Sequence, residues 1–408
     1  MILMLNSSNA IDKILFLTEN KTQFDQVRKT KSLPLFYPLV IEFFDDLSKS
    51  LIHDKAAKKF SDIIAYAFWI RKTNIFKEQQ RFLSKCKIGR GIAFHVAPSN
   101  VPINFAVSMT SSLLAGNISI IRVSSKKFMQ VDIVVNTINK LLSNEKFRLL
   151  NEYIYIIRYE HDREINDYLS SICDLRIVWG GDNTIRELKK SAVPVRCVEM
   201  NFADRDSICI IDSDAYLSCD PKKIASAFYV DTYFTDQNAC SSPRLVVWTG
   251  KNKEKAKDQF YRFLQEHLDS VSYKMNTIMS VDKLNAFCEL SLAHPELKIN
   301  RIFNNNTLVR VGIDKLTADL FSFKCTCGYF FEYDTDDLVS LCTVLGKTCQ
   351  TVAYLGIEPE YIKNIVVENG VRGVDRIVPI GKTMELEFFW DGYDMIDTMS
   401  RNIDVTVK

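Results

Sequence analysis

Strand-like and helix-like segments alternate through the middle of this chain, and this alternation is the feature that most restricts its fold. Short apolar runs typical of buried strands lie at residues 91–97, 118–123, 153–158 and 175–179. A helical pattern occupies residues 103–115, and Gly116 follows it as a C-terminal cap. Because parallel strands need helical crossovers between them, the pattern predicts an α/β fold with a doubly wound parallel sheet.

A second α/β pattern follows from about residue 205. Strand-like runs lie at residues 208–211, 244–248, 307–311 and 351–355, and a charged helical pattern lies at residues 251–270. A chain of 408 residues is long enough for two domains. We therefore predict three parts: residues 1–204 as a helical N-terminal region with the first α/β domain, residues 205–375 as a second α/β domain, and residues 376–408 as a C-terminal segment.

Charge and cysteine content exclude several classes of protein. The 52 basic and 50 acidic residues leave a net charge of +2, which argues against binding to nucleic acid or to a membrane surface. The 11 scattered cysteines indicate reduced thiols in a cytoplasmic protein rather than a disulfide framework. Cys325 and Cys327 form a C-x-C pair without a second ligand pair, so we expect no metal site.

Two further observations concern membranes and export. No apolar run approaches the ~20 residues that a membrane span requires. The apolar start at Met1 to Leu5 is short and lacks a charged leader and a cleavage site, so we do not expect a signal peptide.

One cysteine lies in a polar turn just before a predicted strand. The turn runs from Asp236 to Pro243 and contains Cys240, between an aromatic run and the strand at residues 244–248. A thiol in such a turn can be exposed and activated, unlike one surrounded by apolar side chains. We interpret Cys240 as a nucleophile that forms a thioester with an acyl group. The alternative is a small buried apolar side chain, which is the usual role of cysteine.

Two more turns follow predicted strands. Pro98, Ser99, Asn100, Val101 and Pro102 form the first turn, which two prolines restrict. The second, Gly180-Gly181, opens a helix, where a ligand can approach the backbone and a helix N-terminus favours phosphate. Alone, the glycine pair is a weak signal because no G-x-G-x-x-G sequence is present.

Several short motifs together carry a resemblance to a known family. They occur in this order: Pro98 to Pro102, Ala115-Gly116-Asn117 with Arg122, Trp179-Gly180-Gly181-Asp182, Gln237 to Pro243, Arg376-Ile377-Val378-Pro379-Ile380-Gly381, and Trp390-Asp391-Gly392-Tyr393. The ordered set resembles the LuxC-type acyl-CoA reductases, the fatty-acid reductase subunit of bacterial bioluminescence, within the aldehyde dehydrogenase superfamily. The resemblance implies an aldehyde-dehydrogenase-like fold, with a Rossmann-type cofactor domain and an α/β catalytic domain.

The resemblance also implies roles for individual residues. Cys240 would be the catalytic nucleophile, and the side-chain amide of Asn100 with the backbone N–H of Cys240 would bind the oxyanion. Losing one such donor typically costs ~3–4 kcal/mol of transition-state stabilisation. Gly180 and Gly181 would lie against the cofactor. The alternative for Asn100 is that it only shapes a turn, where asparagine is common.

The expected cofactor is NADPH. Where the wider superfamily has Lys-Pro-Ser-Glu, this chain has Arg122, Val123, Ser124 and Ser125. A glutamate would bind a free ribose 2′-hydroxyl and repel a 2′-phosphate. Ser125 removes that charge, and Arg122 and Lys126 can add attraction. We therefore assign Arg122, Ser124, Ser125 and Lys126 to cofactor binding, with a solvated charged edge as the alternative.

The general base of hydrolytic aldehyde dehydrogenases has no counterpart motif here. Those enzymes carry Glu-Leu-Gly-Gly, whereas the comparable region of this chain reads Val198 to Asp204. Glu199 could serve, although a structural glutamate is the more common case. The loss makes chemical sense because a reductase should not hydrolyse its acyl-enzyme. His95 lies in a predicted strand and receives no catalytic role.

Together these observations predict NADPH-dependent reduction of a long-chain fatty acyl-CoA, or of an acyl group delivered by a partner, to a fatty aldehyde for bacterial luminescence. An acyl-protein synthetase is the expected partner, in a homo-oligomer and a multienzyme complex. The aromatic tail from Phe388 to Tyr393 is a candidate oligomer surface, with core packing equally compatible. Two alternatives stay open: a reductase of carrier-bound or other acyl thioesters, and a non-catalytic acyl carrier or scaffold.

Overall fold

A computed structural model of the chain describes residues 7–406, apart from the side chains of residues 7–9 and 301–304. The segment Met1 to Leu5 lies outside the described residues. The chain divides into two units. Unit 1 contains the residues up to Ala203 together with the segment from Leu386 onwards, and unit 2 contains Asp204–Glu385. Each unit has its own sheet and its own apolar core.

The first seven strands all belong to unit 1. They are β1 (Leu15–Phe16), β2 (Lys87–Gly89), β3 (Ile92–Val96), β4 (Ile118–Arg122), β5 (Ile154–Arg158), β6 (Leu175–Trp179) and β7 (Val198–Phe202). Six of these strands form one sheet in the order β1-β5-β4-β3-β6-β7, parallel except for β1. Every residue of β3, β4 and β6 is buried, as expected for a sheet covered on both faces. The predicted α/β, doubly wound fold is confirmed.

Nine α-helices accompany these strands within the described residues. They are α1 (Ser7–Asp12), α2 (Lys21–Phe24), α3 (Pro38–His53), α4 (Ser61–Trp69), α5 (Lys72–Gln80), α6 (Asn104–Leu114), α7 (Met129–Leu142), α8 (Arg163–Ile172) and α9 (Asp182–Leu188). Helix α6 ends as predicted, because Gly116 adopts a φ of +87° and a Cβ there would collide with the carbonyl oxygen of Leu33. Helix α7 begins at Met129 with Phe128 at its N-cap position, so Ser124 and Ser125 lie before this helix and do not cap it.

The strand order places a topological switch point between β3 and β6. The chain runs outward from β3 through β4 to β5, and then returns to β6 on the other side of β3. In open α/β sheets, ligands bind outside the carboxyl ends of the strands at such a point. The turns that follow β3, β4 and β6 are therefore the part of unit 1 where a ligand is expected.

Unit 2 contains a mixed sheet of seven strands. They are β8 (Asp206–Asp212), β9 (Pro243–Thr249), β10 (Ile299–Asn305), β11 (Leu308–Ile313), β12 (Tyr329–Asp334), β13 (Cys349–Leu355) and β14 (Arg376–Pro379). The order is β10-β11-β12-β9-β8-β13-β14, and only the β10–β11 pair is antiparallel among these described strands. Its helices are α10 (Ser213–Leu217), α11 (Pro221–Asp231), α12 (Lys253–Ser270), α13 (Ile278–Ala293) and α14 (Pro359–Glu368).

The C-terminal segment belongs to unit 1. It contains β15 (Phe389–Trp390), β16 (Tyr393–Asp394), α15 (Met395–Met399) and β17 (Ser400–Asn402), and β17 pairs with β2. The segment begins at Leu386 rather than at residue 376, because β14 pairs with β13 inside unit 2. Phe388 is buried, with its ring centroid 4.6 Å from that of Trp69, so part of the aromatic tail serves as core.

Two searches of the described residues bear on membranes and metals. None of the helices within residues 7–406 has the length and apolar character to cross a bilayer. In the same part of the chain, no group of three His, Cys, Asp or Glu side chains is arranged to hold a metal ion.

Candidate active site

The turn that carries Cys240 precedes β9 in unit 2. It starts at Asp236 and Gln237, which both adopt left-handed backbone conformations with φ of +51° and +61°. Such angles are uncommon outside glycine and cost free energy, so surrounding contacts must hold them. Cys240 is half-buried, between buried Ala239 and buried Ser241.

The side chain of Gln237 supplies one set of these contacts. Its Nε2 donates to the carbonyl oxygens of Pro243 at 2.9 Å and Tyr329 at 3.2 Å. Its Oε1 accepts from the N–H groups of Gly328 at 2.9 Å and Tyr329 at 3.1 Å. The amide is fully buried, so these bonds satisfy both ends of the group. Gln237 therefore locks the turn onto the start of β12.

A buried arginine holds the same turn from the other side. The guanidinium of Arg244 donates to the carbonyl oxygen of Cys325 at 2.6 Å and to the carbonyl oxygen of Gln237. Burial lowers the pKa of Arg244, because the charged guanidinium is removed from water. The C-x-C segment at Cys325 and Cys327 thus has a structural function here: it offers a backbone carbonyl to the arginine behind the turn.

The backbone of Cys240 itself is fixed by Ser207. The Ser207 hydroxyl donates to the carbonyl oxygen of Cys240 at 2.7 Å and accepts from the N–H of Thr351 at 3.2 Å. Other thiols of unit 2 have a different environment. Burial raises the pKa of Cys349 to about 12 and raises that of Cys209 well above its usual range, so both stay protonated. Cys240 combines partial exposure with a rigid backbone, which a nucleophile requires.

The motif at residues 376–381 contacts the C-terminal end of α11. Asp231 at the end of this helix accepts from the N–H of Gly381 at 2.6 Å and from the N–H of Thr383 at 3.0 Å. Burial raises the pKa of the Asp231 carboxyl to about 6. Arg376 donates to the carbonyl oxygen of Thr383 at 3.1 Å. The motif therefore closes a loop within unit 2 rather than presenting side chains for chemistry.

Asn100 lies in unit 1, on the turn between β3 and α6. Its side chain is exposed, and β3 pairs in parallel with β6 through Val96 and Val178. The turn of Asn100 and the turn of Gly180 consequently follow neighbouring strands at the switch point. The structure thus places Asn100 at the ligand edge of unit 1.

Gly180 and Gly181 connect β6 to α9. The N–H of Gly180 donates to the carbonyl oxygen of Phe202 at 3.2 Å, and both glycines are partly exposed. A Cβ on Gly180 would lie 3.2 Å from the Cβ of Thr184, so the turn has little room for a side chain. This close packing is compatible with the approach of a ligand to the backbone.

The four candidate residues at the end of β4 and just after it differ in their environments. Arg122 is only 9% exposed, lies 4.8 Å from the ring centroid of Tyr159 and donates to the Tyr159 carbonyl oxygen at 3.3 Å. Ser124 and Ser125 are half-buried, while Lys126 is exposed and lies 5.0 Å from the ring centroid of Phe128. Lys126 and the serines therefore face solvent more than Arg122 does.

Arg158 is a residue of this edge that the sequence reasoning did not single out. It ends β5, which lies next to β4, and its Nε donates to the carbonyl oxygen of Ser124 at 3.2 Å. Its side chain is 11% exposed and lies 4.0 Å from Asp132. The sequence contained a signal, because Arg158 ends one predicted strand and Arg122 lies near the end of another, but which strands are neighbours depends on the sheet order.

This edge of unit 1 fits a nucleotide. The turns after β3, β4 and β6 meet at a switch point, and the Nε of Arg122 is buried without a hydrogen-bond partner among the described residues. A buried donor of this kind can be satisfied by an anionic group. The structure thus brings Asn100, the Arg122 to Lys126 segment and the glycine pair to one edge, while Cys240 belongs to unit 2.

Glu199 and His95 have structural partners. Arg176, which is 2% exposed, donates its Nε to Glu199 Oε1 at 2.8 Å, so Glu199 neutralises a buried arginine. His95 is fully buried with its Nδ1 2.7 Å from Ser108 Oγ, which also accepts from Trp179 Nε1 at 3.0 Å. Burial lowers the pKa of His95 to about 3 and keeps it neutral.

Comparison with known proteins decides the family. The family model described as acyl-CoA reductase (LuxC) matches residues 67–402. The chain belongs to the LuxC family of acyl-CoA reductases. The resemblance seen in the sequence motifs is thereby confirmed, and the match includes the turns of Asn100, Gly180 and Cys240.

Two curated LuxC-type relatives are similar over about half of this chain. Long-chain acyl-protein thioester reductase 2 of Photobacterium leiognathi is 24% identical over 224 residues, which are 54% of this chain and 44% of the relative. Long-chain acyl-protein thioester reductase of Aliivibrio fischeri is 24% identical over 239 residues, which are 56% of this chain and 46% of the relative. The match thus spans less than half the length of these relatives.

Solved structures show the fold. An indole-3-acetaldehyde dehydrogenase in complex with NAD⁺ has a TM-score of 0.64 at 11% identity and covers 97% of this chain and 87% of its own. The glyceraldehyde-3-phosphate dehydrogenase GapN of Methanocaldococcus jannaschii with NADP has a TM-score of 0.62 at 11% identity, with coverages of 97% and 92%. The predicted aldehyde-dehydrogenase-like fold of this LuxC family member is confirmed.

Proposed function

We propose that this chain reduces a long-chain acyl thioester to the fatty aldehyde, with Cys240 as the nucleophile that carries the acyl group. The observation that supports this most strongly is the half-buried thiol on a turn held by Gln237, Arg244 and Ser207. Such a frame fixes the position of a reacting sulfur, and positioning alone can lower a reaction barrier substantially.

The first half of the reaction transfers the acyl group to the protein. The Cys240 thiolate attacks the carbonyl carbon of the acyl thioester, a new C–S bond forms, and the donor leaves as its thiol. The backbone N–H of Cys240 is one oxyanion donor, and its peptide is held because the Ala239 carbonyl oxygen accepts from the N–H of Ser242 at 3.0 Å. Asn100 has the role of second donor that the family resemblance gives it.

The second half of the reaction releases the aldehyde. A nicotinamide nucleotide, when bound, supplies the hydride that reduces the acyl-cysteine to a thiohemiacetal. Breaking the C–S bond of this thiohemiacetal releases the aldehyde and returns Cys240 to its thiolate. Glu199 is occupied by Arg176, which agrees with an acyl-enzyme that is reduced rather than hydrolysed.

We assign NADPH as the cofactor. Ser125 and exposed Lys126 follow β4, where no carboxylate repels a 2′-phosphate within the Arg122 to Lys126 segment. Arg158 adds a second cationic side chain at the end of the neighbouring strand. Gly180 and Gly181 would hold the nucleotide at the turn after β6.

The acyl donor has two candidate forms. Fatty acyl-CoA is the first, in keeping with the family's description. The second is an acyl group on a protein, which the printed names of the curated relatives favour, since both are acyl-protein thioester reductases. A series of acyl-CoA donors from butanoyl to octadecanoyl, followed by NADPH consumption, gives the preferred chain length.

Assembly and location complete the proposal. We expect an acyl-protein synthetase as partner, a homo-oligomer, a cytoplasmic location, and use of the aldehyde in bacterial luminescence, all of which rest on the resemblance. Phe388 is buried, whereas Phe389 is 44% exposed with its ring centroid 4.3 Å from the Arg81 guanidinium, so Phe389 is the exposed part of the aromatic tail for such contacts. Light scattering at micromolar concentrations measures whether the mass exceeds 46.9 kDa.

The central experiment traps the acyl-enzyme. The protein is incubated with a long-chain acyl-CoA without cofactor, digested with trypsin and analysed by mass spectrometry. Residues 224–244 form one tryptic peptide with Cys240 as its single cysteine, so a label there is unambiguous. We expect a hydroxylamine-sensitive thioester on this peptide, discharged as aldehyde when NADPH is added.

Two variants complete this experiment. Cys240→Ala should lose both label and NADPH oxidation, while Cys209→Ala is the matched control because its thiol is buried and protonated. A label on another peptide, or one that persists in Cys240→Ala, contradicts the proposal. A label on Cys240 that NADPH never discharges would instead favour the non-catalytic acyl carrier.

A further inference from the structure

Two cysteines of unit 1 lie side by side at the amino ends of neighbouring strands. Cys173 directly follows α8, and Cys197 directly precedes β7. Strands β6 and β7 are parallel, with Leu175 opposite Val198, and the N–H of Val198 donates to the carbonyl oxygen of Asp174 at 3.0 Å. The register of these strands therefore brings together two thiols that are separated in sequence by β6, α9 and a loop.

The distance between the thiols is short. The two Sγ atoms are 3.8 Å apart, Cys173 is fully buried, and Cys197 is half-buried. A disulfide has an S–S length of about 2.05 Å, so the sulfurs need to approach by less than about 2 Å. Side-chain rotation covers such a distance without breaking the ladder between β6 and β7.

The two thiols have different surroundings, which give them different pKa values. The hydrogen bond between the two thiols lowers the pKa of Cys197, and the nearby Arg176 guanidinium lowers it further. Asp174 and Glu199 act in the opposite direction, while the same hydrogen bond and burial raise the pKa of Cys173. Cys197 is thus the more exposed thiol and the one more readily deprotonated.

We propose that Cys173 and Cys197 form a reversible disulfide when the protein meets a hydroperoxide. The Cys197 thiolate attacks the peroxide O–O bond and becomes a sulfenic acid, while the peroxide leaves as an alcohol, or as water from hydrogen peroxide. The Cys173 thiol then attacks the sulfenic sulfur, the S–S bond forms, and water leaves. Two thiols are oxidised by two electrons, and a small-molecule thiol reverses the step.

The disulfide would close a loop that contains β6 and the candidate cofactor-binding turn that follows it. Residues between the two cysteines include β6, the Gly180-Gly181 turn and α9. Linking the amino ends of β6 and β7 restricts opening of this part of the sheet. The proposal is independent of the activity of Cys240, because it concerns a separate pair of thiols in unit 1.

Peptide mapping tests the proposal on the full-length protein. The protein is exposed to a small excess of hydrogen peroxide, alkylated with N-ethylmaleimide and digested with trypsin without reductant. Cys173 lies in the tryptic peptide of residues 164–176 and Cys197 in that of residues 197–205, each with one cysteine. We expect these two peptides to be linked, with the mass of two hydrogen atoms lost, and to separate after reduction.

Variants and exposed cysteines provide the controls. In Cys173→Ser the sulfenic acid of Cys197 lacks its partner, so a dimedone adduct should accumulate on residues 197–205, while Cys86→Ser should keep the link. The proposal is overturned if both peptides stay singly alkylated under conditions that oxidise the exposed Cys86 and Cys288. Linkage of Cys197 to any cysteine other than Cys173 overturns it equally.

Discussion

The hydroxyl of Ser207 donates a 2.7 Å hydrogen bond to the backbone carbonyl oxygen of Cys240. Ser207 is the second residue of β8, is fully buried, and lies opposite Thr351 of β13, whose N–H donates to the same hydroxyl oxygen at 3.2 Å. The peptide that follows the candidate nucleophile is therefore tied to the central strands of unit 2.

Ser207→Ala should lower both the stability of the Cys240 turn and the rate of acyl-thioester turnover. The substitution leaves the Cys240 carbonyl and the Thr351 N–H without this partner, which costs about 1–3 kcal/mol of unfolding free energy. We expect turnover of the acyl thioester to fall about tenfold or more with little change in KM, since positioning is lost. Denaturant unfolding and steady-state kinetics measure the two effects. Ser218→Ala is the control, because its hydroxyl bonds an exposed helix carbonyl, and equal effects in both variants would refute the assignment.

Gln237→Glu should destabilise unit 2 strongly. A carboxylate cannot donate to the carbonyl oxygens of Pro243 and Tyr329, and its charge would be buried beside them. We expect a loss of about 3 kcal/mol or more in unfolding free energy. Asn238→Asp, at the exposed neighbouring position, should cost far less. Similar melting curves for the two variants would show that the amide network does not hold the turn.

His95 should make unit 1 sensitive to acid. Its pKa is lowered to about 3 in the folded protein, whereas an unfolded chain binds a proton near pH 6.5. The unfolded state therefore binds more protons below pH 6.5, so stability falls with falling pH until the folded value is reached. Between pH 7 and pH 5 this amounts to about 2 kcal/mol for one histidine.

The comparison that isolates His95 is the difference in unfolding free energy between the native protein and His95→Gln at each pH. Asp231 titrates in the opposite sense, because its raised pKa of about 6 means that the folded state keeps a proton that the unfolded state loses. This contribution is common to both proteins and cancels in the difference. A difference that is constant from neutral to mildly acidic pH would rule out a neutral His95.

Ser125→Glu should shift cofactor preference towards NADH. A carboxylate after β4 repels a 2′-phosphate, and a single contact to a charged group is worth roughly 1.5–3 kcal/mol, which is about tenfold or more in affinity. The measurement is kcat/KM for NADPH and NADH with one acyl donor. Ser143→Glu adds the same charge at an exposed site after α7 and should leave the ratio unchanged. Equal use of both cofactors by the unmodified protein would contradict the NADPH assignment.

Local sequence patterns were sufficient to predict much of the fold of unit 1 and less of the fold of unit 2. The runs at β3, β4, β5 and β6 are mostly apolar because these strands are buried on both faces, so they stand out from their neighbours. The sequence patterns did not identify strand β12, although four of its six residues are aromatic strand formers, because the charged residue Glu332 interrupts the run. In the structure Arg310 donates to this buried glutamate at 2.9 Å, which makes the charge acceptable there.

The candidate site likewise has residues that the local sequence identified and residues that only the tertiary structure identified. Cys240 was found because it lies in a polar turn whose residue types are informative without any partner, whereas the role of Asn100 came from the family resemblance. The hydrogen bonds that hold the Cys240 turn could not be found from the sequence. Gln237 binds Gly328 and Tyr329, and Ser207 binds Cys240, across long separations in sequence. Arg158 could be assigned to the edge near β4 only from the sheet order, which places β5 beside β4.

The sequence by itself determined the α/β class, the doubly wound character of the first sheet, the family motifs and the identity of the candidate nucleophile. These properties follow from side-chain periodicity and turn chemistry, which are set by backbone geometry within a few residues. Only the tertiary structure decided that the chain returns to unit 1 at Leu386, that Glu199 neutralises Arg176, and that Cys173 meets Cys197. Strand order and register decide such meetings, and both depend on how the whole core packs rather than on any local stretch of residues.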